Sequence, residues 1–116
     1  MKLRIAGGSL RFRLTRSEVA SLAASGRISE SLNFPSGRTL SYSLESASVL
    51  APEAAFIGDL IRVLLPAPQV KAWAESEETA ILSDARPSIL VEKDFRCIHH
   101  PDDNADKFPN PAAQDQ

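Results

Sequence analysis

The sequence predicts a single α+β domain built from two ββαββ halves related by a pseudo-twofold axis. Three observations carry this reading. First, LRFRLTRSEVASLAASG (residues 10–26) echoes in IRVLLPAPQVKAWAESE (residues 61–77) at a constant offset of 51 positions. Arg11 falls on Arg62, Leu14 on Leu65, Val19 on Val70, Ala23 on Ala74 and Ser25 on Ser76. Second, strand-like alternation, turn residues and a helical face recur in the same order in both parts. Third, each part is too small to bury its own apolar face, so the two are expected to share one core. About eight mostly antiparallel strands in a curved sheet or barrel, covered by two short helices, satisfy these demands. The duplicated domain takes residues 1–96, with halves 1–45 and 54–95. Residues 97–116 read as an irregular polar tail.

The elements follow in order. Leu3, Ile5, Leu10, Phe12 and Leu14 alternate with Lys2, Arg4, Arg11 and Arg13, the period of a half-buried strand pair. Gly7-Gly8 between the runs admits the positive φ that a tight hairpin needs. Thr15-Arg16-Ser17-Glu18 is a capping box, with Leu14 and Val19 at the staple positions. Val19, Leu22 and Ala23 form the apolar face of the helix, and Gly26 stands where a left-handed residue ends it. Residues 27–34 alternate again, with Ile28, Leu32 and Phe34 directed inward. Pro35-Ser36-Gly37 turns the chain into LSYSLE (40–45).

Residues 46–53 link the halves. AAFIGDLIRVLL (54–65) repeats the first hairpin around Gly58-Asp59, and Pro66 and Pro68 suit the first turn of a helix. Val70, Trp73 and Ala74 then match Val19, Leu22 and Ala23. TAILS (79–83) and SILVEKD (88–94) close the second half across Asp84-Ala85-Arg86-Pro87, at an offset shortened by about two residues. The expected core is Leu3, Ile5, Leu10, Phe12, Leu14, Val19, Leu22, Phe56, Ile61, Val63, Leu65, Val70 and Trp73.

Composition narrows the function classes. A chain of 116 residues with 43% hydrophobic and 24% charged side chains is ordinary for a soluble globular protein. No apolar run approaches the roughly 20 residues of a membrane span, and MKLRIAGG is too poor in apolar residues for a signal peptide. One cysteine, Cys97, excludes an intramolecular disulfide. These features predict a cytoplasmic protein without a membrane partner. The formal net charge of -2 argues against nucleic acid as a partner. Charge is nevertheless segregated, with +5 over residues 1–38 and -7 over the rest.

Three groupings could carry chemistry. Lys2, Arg4, Arg11 and Arg13 would share one strand face, where like charges repel unless an anion or an acidic partner covers them. This makes them the candidate binding residues, for an acidic protein, an anionic ligand or the acidic half of a second copy. The plainer reading is a solvated face neutralised by Glu18, Glu30 or acids of a neighbouring strand. Cys97, His99 and His100, with Asp102, Asp103 and Asp106, have metal-ligand chemistry and define the alternative, a metal-binding protein or metal-dependent enzyme. Their spacing matches no paired ligand motif, and a polar tail with an incidental cysteine explains them as well. Glu45 and Glu92, at equivalent strand ends, could be brought together as an acid/base pair. No nucleophile elbow, catalytic residue set or phosphate loop is present, so neither catalysis nor a cofactor is expected.

MKLRIAGGSLRFRLTRSEV (1–19), LSYSLE (40–45), ILVEKDFRC (89–97) and FPNP (108–111) resemble the pattern of a small bacterial family known as a domain of unknown function. Its members open close to MKLRIxGNSLRLRLTQSEV and end on VEKDFxCL followed by FPNP. The resemblance spans nearly the whole chain. It implies a conserved small soluble protein and brings no activity, ligand or catalytic residue. Gly8 and Arg16 replace the asparagine and glutamine of that pattern, and the His99-His100 pair is not part of it.

Overall fold

Residues 1–95 are described by a computed structural model. The order is β1 (Lys2–Ala6), β2 (Ser9–Leu14), α1 (Arg16–Ser25), β3 (Arg27–Asn33), β4 (Thr39–Ala47), β5 (Glu53–Ile57), β6 (Leu60–Pro66), α2 (Ala67–Glu75), β7 (Ala80–Ser83) and β8 (Ser88–Lys93). Local chemistry accounts for the boundaries. Thr15 accepts from the Glu18 amide while the Glu18 carboxylate accepts from the Thr15 amide, the reciprocal capping box. Gly26 ends α1 in the left-handed region at φ 82° and donates to the Leu22 carbonyl. Pro68 lies in the first turn of α2, where a missing amide hydrogen costs nothing.

The strands form two four-stranded mixed sheets rather than one curved sheet or a barrel. Their orders are β1-β2-β8-β7 and β3-β4-β6-β5, and neither sheet closes on itself. Each takes the first hairpin of one half and the last hairpin of the other. The hairpins are antiparallel within themselves and join through parallel central pairs, β2 with β8 and β4 with β6. A parallel junction needs a long crossover, which β3 to β7 supply for the first sheet. Hairpin patterning specifies a strand's own turn partner but not its parallel neighbour, so the expected closure was overturned at that level.

One core joins the layers. Leu10, Phe12, Leu14, Ile89 and Val91 come from the first sheet's central strands, Leu44, Val63 and Leu65 from the second's. Val19 and Leu22 of α1 and Val70 and Trp73 of α2 complete it with Ile81. The Phe12 and Tyr42 rings meet across the sheets with centroids 6.4 Å apart. Two expected core residues are outside it. Ile5 is 61% exposed and Phe56 68%. They occupy equivalent places, each on an outermost strand one pair from its hairpin turn. Alternation identified their side of the sheet correctly but not how far the opposing layer reaches. Leu3 and Ile61 are half-buried, while Leu32, Phe34 and Ala23 are exposed.

Candidate functional site

The basic row is assembled by register. Lys2 lies opposite Arg13 and Arg4 opposite Arg11, so all four cations occupy the outward face of the β1–β2 hairpin. Their apolar neighbours Leu3, Leu10 and Phe12 face the other way. Four adjacent cations on one sheet face would repel strongly without compensation.

Compensation comes from β8. Its parallel register sets Glu92 beside Arg13 and Leu90 beside Arg11. One Glu92 oxygen, Oε1, accepts from Arg11 Nε at 2.8 Å and from Arg13 Nε at 2.9 Å. Burial raises the Glu92 pKa, but the two arginine hydrogen bonds outweigh it and hold the carboxyl below its ordinary value. Lys2 Nζ approaches Asp94 at 3.9 Å, near the limit of an ion pair. Arg4 makes no ion pair among the described residues. The face is therefore split. Arg11 and Arg13 are held by Glu92, and Lys2, 78% exposed, and Arg4 stand open at the sheet edge.

The second sheet carries a related clamp. Arg62 donates to Glu45 through Nε and Nη2, and Arg27 lies 4.0 Å away. The Arg62 hydrogen bond lowers the Glu45 pKa more than burial raises it. Glu45 and Glu92 thus belong to different sheets, each bound to arginines. The structure does not unite them as a carboxylate pair: each is the counter-ion of arginines in its own sheet. Asp94 and Glu92 were visible in the sequence as acids. Their place against the basic row was not, since the Glu92 contacts span 81 and 79 residues through a parallel junction, and Asp94 follows Glu92 on the same segment.

The row is thus offset by acids of the neighbouring strand, Glu92 and the adjoining Asp94, and not by Glu18 or Glu30. Both bind the Met1 amine, and Tyr42 donates to Glu30 Oε2 at 2.7 Å. A groove of about 240 Å³ adjoins this cluster, and a larger one of about 700 Å³ lies between α1 and the end of α2 beside Lys93, Asp94 and Phe95. Neither is lined by a histidine or cysteine among the described residues. Cys97, His99 and His100, the candidate metal ligands, lie outside the described residues, as do Asp102, Asp103 and Asp106. Among the described residues no group of three or more His, Cys, Asp or Glu side chains could hold a metal ion. No helix among them is long and apolar enough to cross a membrane.

The chain belongs to a family of unknown function, DUF7009, whose model matches residues 1–112. No curated protein and no solved structure matches it.

Proposed function

We propose that this member of the DUF7009 family is a non-enzymatic binding protein whose contact surface is the outward face of the β1–β2 hairpin. Its partner is an acidic protein segment or an anionic ligand. The observation that carries the reading is the cross-strand pairing of Lys2 with Arg13 and of Arg4 with Arg11. Glu92 and Asp94 offset part of this charge, which leaves Lys2 and Arg4 as the groups that reach a partner. Arg11 and Arg13 support the face from behind their shared carboxylate. A cytoplasmic location suits such a protein.

The test uses a fluorescent hexaglutamate peptide and anisotropy at low and high salt. Lys2→Glu/Arg4→Glu reverses the open cations without touching the Glu92 clamp, so its fold should survive. Binding by the wild type, lost in the variant and weakened by salt, supports the proposal, because exposed attraction is screened over about 8 Å at physiological ionic strength. Equal anisotropy for both proteins would identify the row as a solvated surface.

The same proposal includes the architecture behind the face. The halves 1–45 and 54–95 are read as copies of one unit about a pseudo-twofold axis. The repeated ββαββ order and the matching sheet orders support this. Because each sheet borrows a hairpin from both halves, fragments 1–48 and 49–116 should fold on mixing and not alone. Independent folding of either fragment would oppose it.

A further inference from the structure

Among the described residues the two sheets present four outer strands, β1 and β7 in one, β3 and β5 in the other. An outer strand offers unpaired backbone groups to any extended chain, and proteins guard such edges with charge, shortness or cover. Three of the four are guarded against a second copy of this chain. Antiparallel pairing of β1 about its centre would set Arg4 against the partner's Arg4. The same operation on β3 would set Glu30 against the partner's Glu30. Strand β7 has only four residues.

Strand β5, Glu53–Ile57, has no such guard. Its two apolar tip residues lie on opposite faces and are both exposed, Phe56 at 68% and Ile57 at 62%. Pairing about Ala55 would place Glu53 opposite the partner's Ile57, Ala54 opposite the partner's Phe56, and Ala55 opposite the partner's Ala55. No like charges meet in this register, and small alanines make room for each phenylalanine.

Backbone geometry points the same way. The two-residue turn Gly58-Asp59 has both φ values positive, 52° and 64°. Such a turn is closed by a hydrogen-bonded pair, here Ile57 with Leu60. Alternation then directs the polar groups of Glu53, Ala55 and Ile57 toward β6 and those of Ala54 and Phe56 outward. Among the described residues no other strand pairs with β5 on that side. In the register above, Ala54 and Phe56 meet the partner's Phe56 and Ala54 as hydrogen-bonded pairs.

We infer that β5 is a self-complementary docking edge, through which two copies join antiparallel into one eight-stranded sheet. A second copy suits it better than residues 96–116, where Pro101, Pro109 and Pro111 cannot donate to a ladder. The interface is independent of the basic face, and its failure would leave that proposal standing.

Sedimentation velocity on the full chain, over a concentration series at low and high salt, tests it. The mass should rise from 12.6 kDa toward about twice that value with concentration, and should not fall with salt. Ala54→Pro removes an outward amide without disturbing the bonds to β6, and Phe56→Lys charges the edge. Both variants should stay monomeric with an unchanged circular dichroism spectrum. Ile5→Lys, at the equivalent place on β1, should dimerise normally. A wild type monomeric at every concentration would overturn the inference. So would dimers that persist in Phe56→Lys, or a mass that drops as salt rises.

Discussion

Replacing Trp73 with alanine probes the centre of the fold. Trp73 is fully buried on α2 and packs in the cluster that joins both sheets to both helices. Truncating such a side chain costs about 3–5 kcal/mol, from lost burial and the cavity left behind. Lys93 Nζ lies 5.7 Å from the ring centroid, and that cation–π contact is lost as well, worth about 0.5–1 kcal/mol near a surface. One term opposes these. Among the described residues the buried indole Nε1 has no hydrogen-bond partner, a penalty of about 1–3 kcal/mol that truncation relieves. The balance for Trp73→Ala is a loss of about 3 kcal/mol, or roughly 12–20 °C in midpoint for a domain of this size. Trp73→Phe keeps a ring and deletes the unpartnered N–H, so it should cost within about 1 kcal/mol. Urea titration followed by circular dichroism measures both. In the wild type, the single tryptophan should emit as a buried indole that shifts to the red on unfolding. A loss below about 1 kcal/mol for the alanine variant would refute the placement of Trp73 in the core. A phenylalanine variant as damaged as the alanine one would refute the argument about the N–H.

Three further outcomes are expected. Thr15→Ala removes the hydroxyl of the capping box and should cost about 0.5–2 kcal/mol, measured by the same titration. Glu45 and Glu92 both have folded pKa values below their ordinary 4.5, so the stability they contribute is present above that value and lost as pH falls through the folded pKa. Glu92→Gln should therefore flatten the acid limb of a stability profile below pH 4.5, and an unchanged limb would exclude the clamp. At the alkaline end, burial and the Glu30 hydrogen bond push Tyr42 up from 10.0 to about 12. Its contribution is complete below pH 10.0 and disappears toward about 12, and Tyr42→Phe should remove that step.

The candidate surface shows where sequence reasoning reaches and where it stops. Alternation in residues 2–14 placed Lys2, Arg4, Arg11 and Arg13 on one face because strand geometry has a period of two and the hairpin turn is local. What that face is worth depends on Glu92, whose carboxylate is delivered by a strand 79 residues beyond Arg13. No local signal announces such a neighbour.

The same division runs through the fold. By itself the sequence determined the ten elements, the capping box at Thr15, the left-handed stop at Gly26 and the turn at Gly58-Asp59. Each of these is settled by backbone sterics and hydrogen bonds within a few residues. Only the tertiary structure decided that hairpins from opposite halves share a sheet, through β2 with β8 and β4 with β6. It also decided that Ile5 and Phe56 project past the core. Both outcomes depend on how far layers overlap and which strands run parallel. Those are properties of non-local packing, and a hydrophobic pattern is compatible with several arrangements of the same strands.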